Sequence, residues 1–169
     1  MRTQEKVIRQ KYRDLVKKLI EKKISLSTME SATGGQIASL ITDTEGASEI
    51  FPGGMVTYSN RTKMEAGIDP DLIRSYSVYS QQVAGAMAEC CKQKLGTDLG
   101  IGVTGTMANI DPANPKDSEP GHVYLGLAYG DQTRTYEICL PVMESRLAYK
   151  LAVAEKICRE IEYLTQSLD

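Results

Sequence analysis

Apolar residues recur along this chain with two periods, one helical and one strand-like, and their alternation lays out the fold. Between positions 4 and 23, Val7, Leu15, Val16, Leu19 and Ile20 fall along one side of a helix. The run Ile24-Ser25-Leu26-Ser27-Thr28-Met29 is short and β-prone, and it ends in the polar, glycine-bearing cluster Glu30-Ser31-Ala32-Thr33-Gly34-Gly35. A strand therefore meets a loop there. Ile37, Leu40 and Ile41 share one face of a helix over 36–41, which completes a strand, loop and helix in order. A second strand is predicted over 55–58, after the bend Pro52-Gly53-Gly54, followed by a short polar helix that contains Lys63.

The second half repeats this logic with a different ending. Val83, Ala84, Met87, Ala88 and Cys91 predict a helix over 80–95 with Gly96 as its C-terminal cap. Leu99-Gly100-Ile101-Gly102-Val103 reads as a buried strand ending at Thr104-Gly105. Residues 106–120 are rich in Pro, Asn and Asp and lack periodicity, which predicts a long loop of the kind used for binding. Two alternating runs, 123–129 and 133–140, flank Gly130-Asp131, a tight-hairpin signal for antiparallel strands. Leu147, Leu151, Ala154, Cys158 and Ile161 mark a long amphipathic helix toward the C-terminus. Helix crossovers imply parallel pairing among the early strands, so the expected fold is α/β: a three-layer αβα sandwich on a mixed sheet of about five strands, in one domain spanning 1–169. Residues 1–23 form its N-terminal helix.

Composition narrows the class of function. At 169 residues, with 41% hydrophobic and 25% charged residues, the chain has the makings of one ordinary core. A net charge of -2 supplies no excess positive surface for phosphate neutralisation, so a nucleic-acid partner is not expected. The lysines and arginines of the first helix alternate with acids and read as a solvated face. Cys90, Cys91, Cys139 and Cys158 form no CxxC pair and have no histidine at zinc-ligand spacing, so they read as reduced thiols and no metal is expected. No segment has signal-peptide or membrane-span character, which places the expected protein in the cytoplasm, away from membranes.

Candidate chemistry gathers at the strand-to-helix junctions. Ser31 precedes Thr33-Gly34-Gly35 at a helix entrance, where unpaired amides and the macrodipole attract developing negative charge. A serine there can attack a carbonyl while the Gly34 and Gly35 amides hold the oxyanion. A simple helix cap by Ser31 or Thr33 explains the same residues. His122, the single histidine, starts a strand just after Pro120-Gly121, so a Ser-His-Asp triad is not expected. The remaining base candidates are lysine and tyrosine. Lys63 follows Tyr58 by five residues, and Ser31, Tyr58 and Lys63 can share one proton relay if burial depresses the amine, although Lys63 also reads as a surface residue of a short helix. Thr104 and Gly105 offer a hydroxyl and an amide, and Arg146 opens the last helix with a guanidinium suited to phosphate or carboxylate.

The succession Glu30-Ser31-Ala32-Thr33-Gly34-Gly35, then Gly53-Gly54-Met55-Val56-Thr57-Tyr58-Ser59-Asn60 with Lys63, then Val103-Thr104-Gly105, resembles the CinA C-terminal family. Val78-Tyr79-Ser80 and Pro120-Gly121-His122-Val123-Tyr124 extend the likeness, which covers roughly residues 24–169. The resemblance implies a fold like the anticodon-binding domains, with strand order 21345 and strand 4 antiparallel. It implies a metal-independent, cofactor-free amidohydrolase that converts nicotinamide mononucleotide to nicotinic acid mononucleotide and ammonia. Ser31 would be the nucleophile, Lys63 the base and Tyr58 its relay; Thr33, Gly34 and Gly35 would line the oxyanion region, and Ala32, Gly53, Gly54, Thr104, Gly105 and Arg146 would meet the substrate. The partner implied is a small pyridine nucleotide, and symmetric assembly is common among small enzymes, so a homo-oligomer is expected. Where the family continues Thr-Gly with Ala-Gly-Pro and further glycines, this chain reads Thr106-Met107-Ala108-Asn109-Ile110-Asp111-Pro112. Glycine-rich backbone wraps anions, so this loop holds a phosphate differently or not at all, and the alternatives are a silent nucleotide-binding module or an amidase for another small substrate.

Overall fold

A computed structural model describes residues 2–166. Its helices and strands in chain order are α1 (Arg2–Lys22), β1 (Leu26–Glu30), α2 (Gln36–Thr42), a 3-10 turn (Ala47–Glu49), β2 (Gly53–Val56), α3 (Asn60–Glu65), α4 (Pro70–Tyr76), α5 (Gln81–Leu95), β3 (Leu99–Gly105), β4 (His122–Tyr129), β5 (Gln132–Cys139) and α6 (Arg146–Gln166). The strands form one sheet in the order β2-β1-β3-β4-β5. β1 runs parallel to both β2 and β3, while β4 is antiparallel to β3 and to β5. The mixed sheet expected from the crossover helices and the Gly130-Asp131 hairpin is therefore the one observed.

Helices cover both faces. The larger core joins α1, α2 and α6 to the sheet through residues such as Tyr12, Leu15, Leu26, Ile37, Leu125 and Ile157. On the opposite face Val83, Met87 and Cys91 of α5 pack against Met29 of β1, Ile68 and, from α4, Leu72 and Ile73. α5 approaches the sheet closely because three strand positions have no side chain. A Cβ at Gly100 would lie 2.0 Å from the Ala88 carbonyl oxygen, and one at Gly102 or Gly126 would lie 2.2 Å from the Ala84 carbonyl oxygen. α5 is closed by Gly96 at φ 62, as its sequence signal predicts, and its first turn is capped by Ser80, whose Oγ accepts from the Val83 amide at 3.2 Å.

Three elements differ from the pattern-based expectation. β2 takes in Gly53 and Gly54, expected as part of a bend, and stops at Val56, short of the expected end at Tyr58. In α1, Val7 is exposed, and the buried stripe is Ile8, Tyr12, Leu15, Val16 and Leu19. Tyr12, outside the apolar stripe expected for this helix, fills the core with its ring while its hydroxyl donates to the Ala154 carbonyl at 3.0 Å. This helix packs on α6 of its own chain. A helix that the apolar pattern does not mark, α4, forms over Pro70–Tyr76, with Asp69 as N-cap and Pro70 at its first position. Among the described residues, no helix is long and apolar enough to cross a membrane.

Candidate active site

The carboxyl ends of β1, β2 and β3 emerge on one edge of the sheet, the position at which open α/β sheets present ligand sites. A cleft of about 330 Å3 opens there. Ser31 lies directly after β1 and is only 6% exposed. Its amide donates to the Val103 carbonyl at 2.9 Å, which prolongs the β1–β3 ladder by one step and holds the Ser31 backbone to the sheet.

Lys63 reaches Ser31 from the other side of β1. A reciprocal capping box at Ser59 and Thr62 starts α3, and this sets Lys63 on the inward side of a helix only six residues long. The ammonium donates to Ser31 Oγ at 3.0 Å and to the Thr57 carbonyl at 2.9 Å. With 1% exposure it is among the largest fully buried side chains of the protein. Burial lowers it to about 8, partly countered by the Asp111 carboxylate, which raises it. Thr57 holds one N–H, so once a proton is lost the amine's lone pair can turn to the serine.

Glu30 organises the loop that follows. It is fully buried, and its carboxylate accepts from Thr33 Oγ1 at 2.6 Å and from the amides of Gly35 (3.0 Å), Ile37 (3.1 Å) and Ala38 (2.9 Å). An anion at a helix N-terminus is the favoured arrangement, and here the protein supplies its own. This corrects the expected oxyanion region. The Gly35 amide and the Thr33 hydroxyl are committed to Glu30, and the Gly34 amide donates to the Ser31 carbonyl at 3.0 Å. Gly34 and Gly35 serve the turn itself, at φ 58 and 91, where a side chain would strain the backbone. The amides of Ala32 and Thr33 are given no acceptor by the described residues.

Other expected substrate residues divide. Ala32, Gly105 and Arg146 line the cleft beside Ser31. Thr104 does not: it is fully buried and its hydroxyl donates to the Val78 carbonyl at 3.0 Å. Gly53 and Gly54 pair with Ser27 and Thr28 at the opposite end of β2, about 10 Å along the strand from the cleft edge. Gly54 answers a packing need, since a Cβ there would meet Thr28 Oγ1 at 2.1 Å. Tyr58 lines the cleft but is 63% exposed, and its hydroxyl accepts from Arg146 at 2.9 Å instead of joining Ser31 or Lys63.

The 106–120 loop forms the cleft's outer wall. Tyr79 donates its hydroxyl to Asp111, and Asn114 donates its amide to the same carboxylate at 2.6 Å and accepts from Asn60 at 2.9 Å. Burial first, and then the bond to Asp111, raises the Tyr79 hydroxyl well above its ordinary value. Partial burial pushes the Asp111 carboxyl up, but the hydrogen bonds from Tyr79, Asn114 and the Ala113 amide, with the Lys63 charge, bring it below its ordinary value. Tyr79 stood within the Val78-Tyr79-Ser80 motif and Asp111 within the long loop, but nothing in the sequence joined them. His122 contacts Glu119 and Glu137 and takes no part in the cleft.

The 2-1-3-4-5 mixed sheet with helices on both faces is an architecture found among known proteins. A family model described as the CinA C-terminal domain matches residues 9–161. A competence-damage inducible protein of Moorella thermoacetica is 40% identical over 116 residues, 68% of this chain and 27% of that protein. A CinA-like protein of Acidobacterium capsulatum is 41% identical over 115 residues, 67% of this chain and 27% of that protein. The chain thus spans about a quarter of the length of these relatives. In fold it is similar to the crystal structure of a CinA superfamily protein from Escherichia coli, with TM-score 0.83 and 24% identity, covering 93% of this chain and 90% of that one. A competence/damage inducible protein from Agrobacterium tumefaciens gives TM-score 0.84 and 24% identity, covering 94% and 95%. The chain belongs to the CinA C-terminal domain family.

Proposed function

We propose that this protein is an amidohydrolase that uses Ser31 as nucleophile and Lys63 as general base, with the carboxamide of nicotinamide mononucleotide as its substrate. The observation that supports the reading is the 3.0 Å approach of a buried lysine, lowered to about 8, to a buried serine at a cleft. A lysine so depressed is neutral in an appreciable fraction near neutral pH, which is what a base requires.

In this reading Ser31 Oγ attacks the carboxamide carbon as its proton passes to Lys63. The Ala32 amide, next in the chain and free of a protein acceptor among the described residues, stabilises the oxyanion in place of Gly34 and Gly35. Collapse of the tetrahedral adduct breaks the C–N bond, and Lys63 returns the proton to the departing ammonia. Water, deprotonated by the same amine, then hydrolyses the ester and restores Ser31. Arg146, fixed against Tyr58 at the cleft mouth, carries the positive charge that meets the phosphate. Tyr58 on this account orients Arg146 and is not the proton relay.

A second reading, a binding module without turnover, draws on the loop, where Asp111 places a carboxylate within electrostatic reach of Lys63. Ammonia release from nicotinamide mononucleotide by the purified protein separates the two. The amidohydrolase reading expects turnover that falls at least about a hundredfold in Ser31→Ala. Binding of the nucleotide with no ammonia released by the wild type would overturn it.

A further inference from the structure

A second cluster of chemically active side chains lies outside the cleft, on the hairpin β4–β5. The ladder puts His122 directly opposite Cys139 and Tyr124 opposite Glu137. Side chains two apart on a strand share a face, so Glu137 and Cys139 both flank the His122 ring. Nδ1 lies 2.9 Å from Glu137 Oε1 and 3.8 Å from Cys139 Sγ, and one ligand atom from each of the three residues falls within 4.8 Å of the others. On the far side of the ring, Nε2 is 3.3 Å from Glu119 Oε1. A neutral imidazole donates from one nitrogen only. With the Nε2 proton directed to Glu119, Nδ1 offers its lone pair toward the same point as a carboxylate oxygen and a sulfur.

We infer that His122, Glu137 and Cys139 form a binding site for a borderline divalent cation, Zn2+ above all. Nitrogen, sulfur and oxygen donors together suit zinc, whereas magnesium and calcium favour oxygen alone. Zinc bonds of about 2.0 to 2.3 Å in tetrahedral array set neighbouring ligand atoms about 3.5 Å apart. The 2.9 and 3.8 Å spacings about Nδ1 need shifts of about half an ångström or less, and rotation of the exposed Glu137 and Cys139 side chains closes the spacing between their own ligand atoms, which lie within 4.8 Å. The two strands fix the Cα positions, and Glu137 and Cys139 are exposed enough to admit an ion and leave its fourth position to solvent. Glu119 completes a carboxylate–histidine–metal arrangement, orienting the ring from outside.

The site sits at the base of the loop that walls the cleft. The Thr106 amide donates to the His122 carbonyl at 2.9 Å, and the Gly121 amide donates to the Met107 carbonyl at 2.6 Å. A cation held by His122, with Glu119 drawn to the ring, braces both ends of the 106–120 segment.

Cobalt(II) is the direct probe, titrated into the 169-residue chain under a non-thiol reductant. The inference expects a thiolate-to-cobalt charge-transfer absorption that saturates at one ion per chain and is displaced by Zn2+. Cys139→Ser should abolish that absorption and Cys90→Ser leave it intact, while Glu119→Gln should weaken binding about 10- to 100-fold. His122→Asn, which keeps a polar strand residue, should also remove binding, with far-ultraviolet circular dichroism showing that each variant is folded. No saturable absorption in the wild type, or an unchanged one in folded Cys139→Ser, would overturn the inference. Because the readout is the metal, the result is independent of whether the cleft hydrolyses an amide.

Discussion

Tyr79 donates its hydroxyl to Asp111, and through this bond the segment leading into α5 and the long loop meet over the cleft that Ser31 lines, with Lys63 buried behind it. The Asp111 charge raises Lys63 while burial lowers it more strongly, so the amine's value near 8 is a balance of the two. Asp111→Asn keeps an acceptor for Tyr79 but deletes the charge. On the proposed mechanism the rate rises with pH as Lys63 loses its proton, with a midpoint near 8 in the wild type. In Asp111→Asn that midpoint should move to lower pH, and a profile of kcat/KM against pH measures it.

Burying Lys63 costs stability. Its folded value of about 8 lies below its ordinary 10.5, so between these limits the unfolded chain binds more protons and stability rises with pH. Below pH 8 the full cost applies; above 10.5 it is gone. Relative to Lys63→Met, the wild type should therefore gain about 3 kcal/mol of unfolding free energy across that window. Urea unfolding of both proteins at pH 7 and near pH 10.5 checks the sign, since other titrating groups cancel in the difference.

Glu30 is a positioning residue for Ser31. Replacing its carboxylate by the amide of Glu30→Gln sets an N–H2 group against donors that need an acceptor, at a cost of about 2 to 4 kcal/mol. Glu30→Asp, which keeps the charge but retracts it, should recover part of the stability. If Glu30 holds the serine in register, kcat should fall in both variants by more than KM rises, as steady-state kinetics on the folded variants would reveal.

Close approach of α5 to the sheet yields a prediction independent of any activity. Gly102→Ala directs a methyl at the Ala84 carbonyl oxygen 2.2 Å away and at the Ala88 amide nitrogen 2.6 Å away, both backbone atoms that cannot yield locally. The expected loss is about 1 to 3 kcal/mol or more, read as a lowered Tm. Gly53→Ala, whose Cβ meets nothing within 4 Å, is the contrasting case, its cost limited to backbone strain at φ 156.

Much of this was legible in the sequence where signals were local. The Gly130-Asp131 hairpin, the Gly96 cap and the five apolar positions of α5 all correspond to observed features, because turn chemistry and helical period act over a few residues. The Ser31 and Lys63 candidates came from strand-end positions on neighbouring strands, and the parallel register of β1 and β2 brings them together. What failed depended on who occupies a donor. Gly34 and Gly35 read as oxyanion amides because nothing in their neighbourhood shows that Glu30 has folded back to take the helix end. Gly53 and Gly54 read as cleft residues because their motif is contiguous with Tyr58, although a strand carries its two ends far apart. The His122–Cys139 pairing was hidden from a search for sequential ligand spacing, yet the hairpin turn sets these two positions opposite each other.

The central claim is that Ser31 forms a covalent ester with the substrate's carboxyl carbon while Lys63 carries the proton. Acid-quenching the protein during turnover of nicotinamide mononucleotide, followed by peptide mass mapping, tests it most directly. The account predicts an adduct of the nucleotide acyl group, less ammonia, on the peptide bearing Ser31, absent from Ser31→Ala. Ammonia released at full rate by Ser31→Ala, with no adduct on the wild-type peptide, would contradict it.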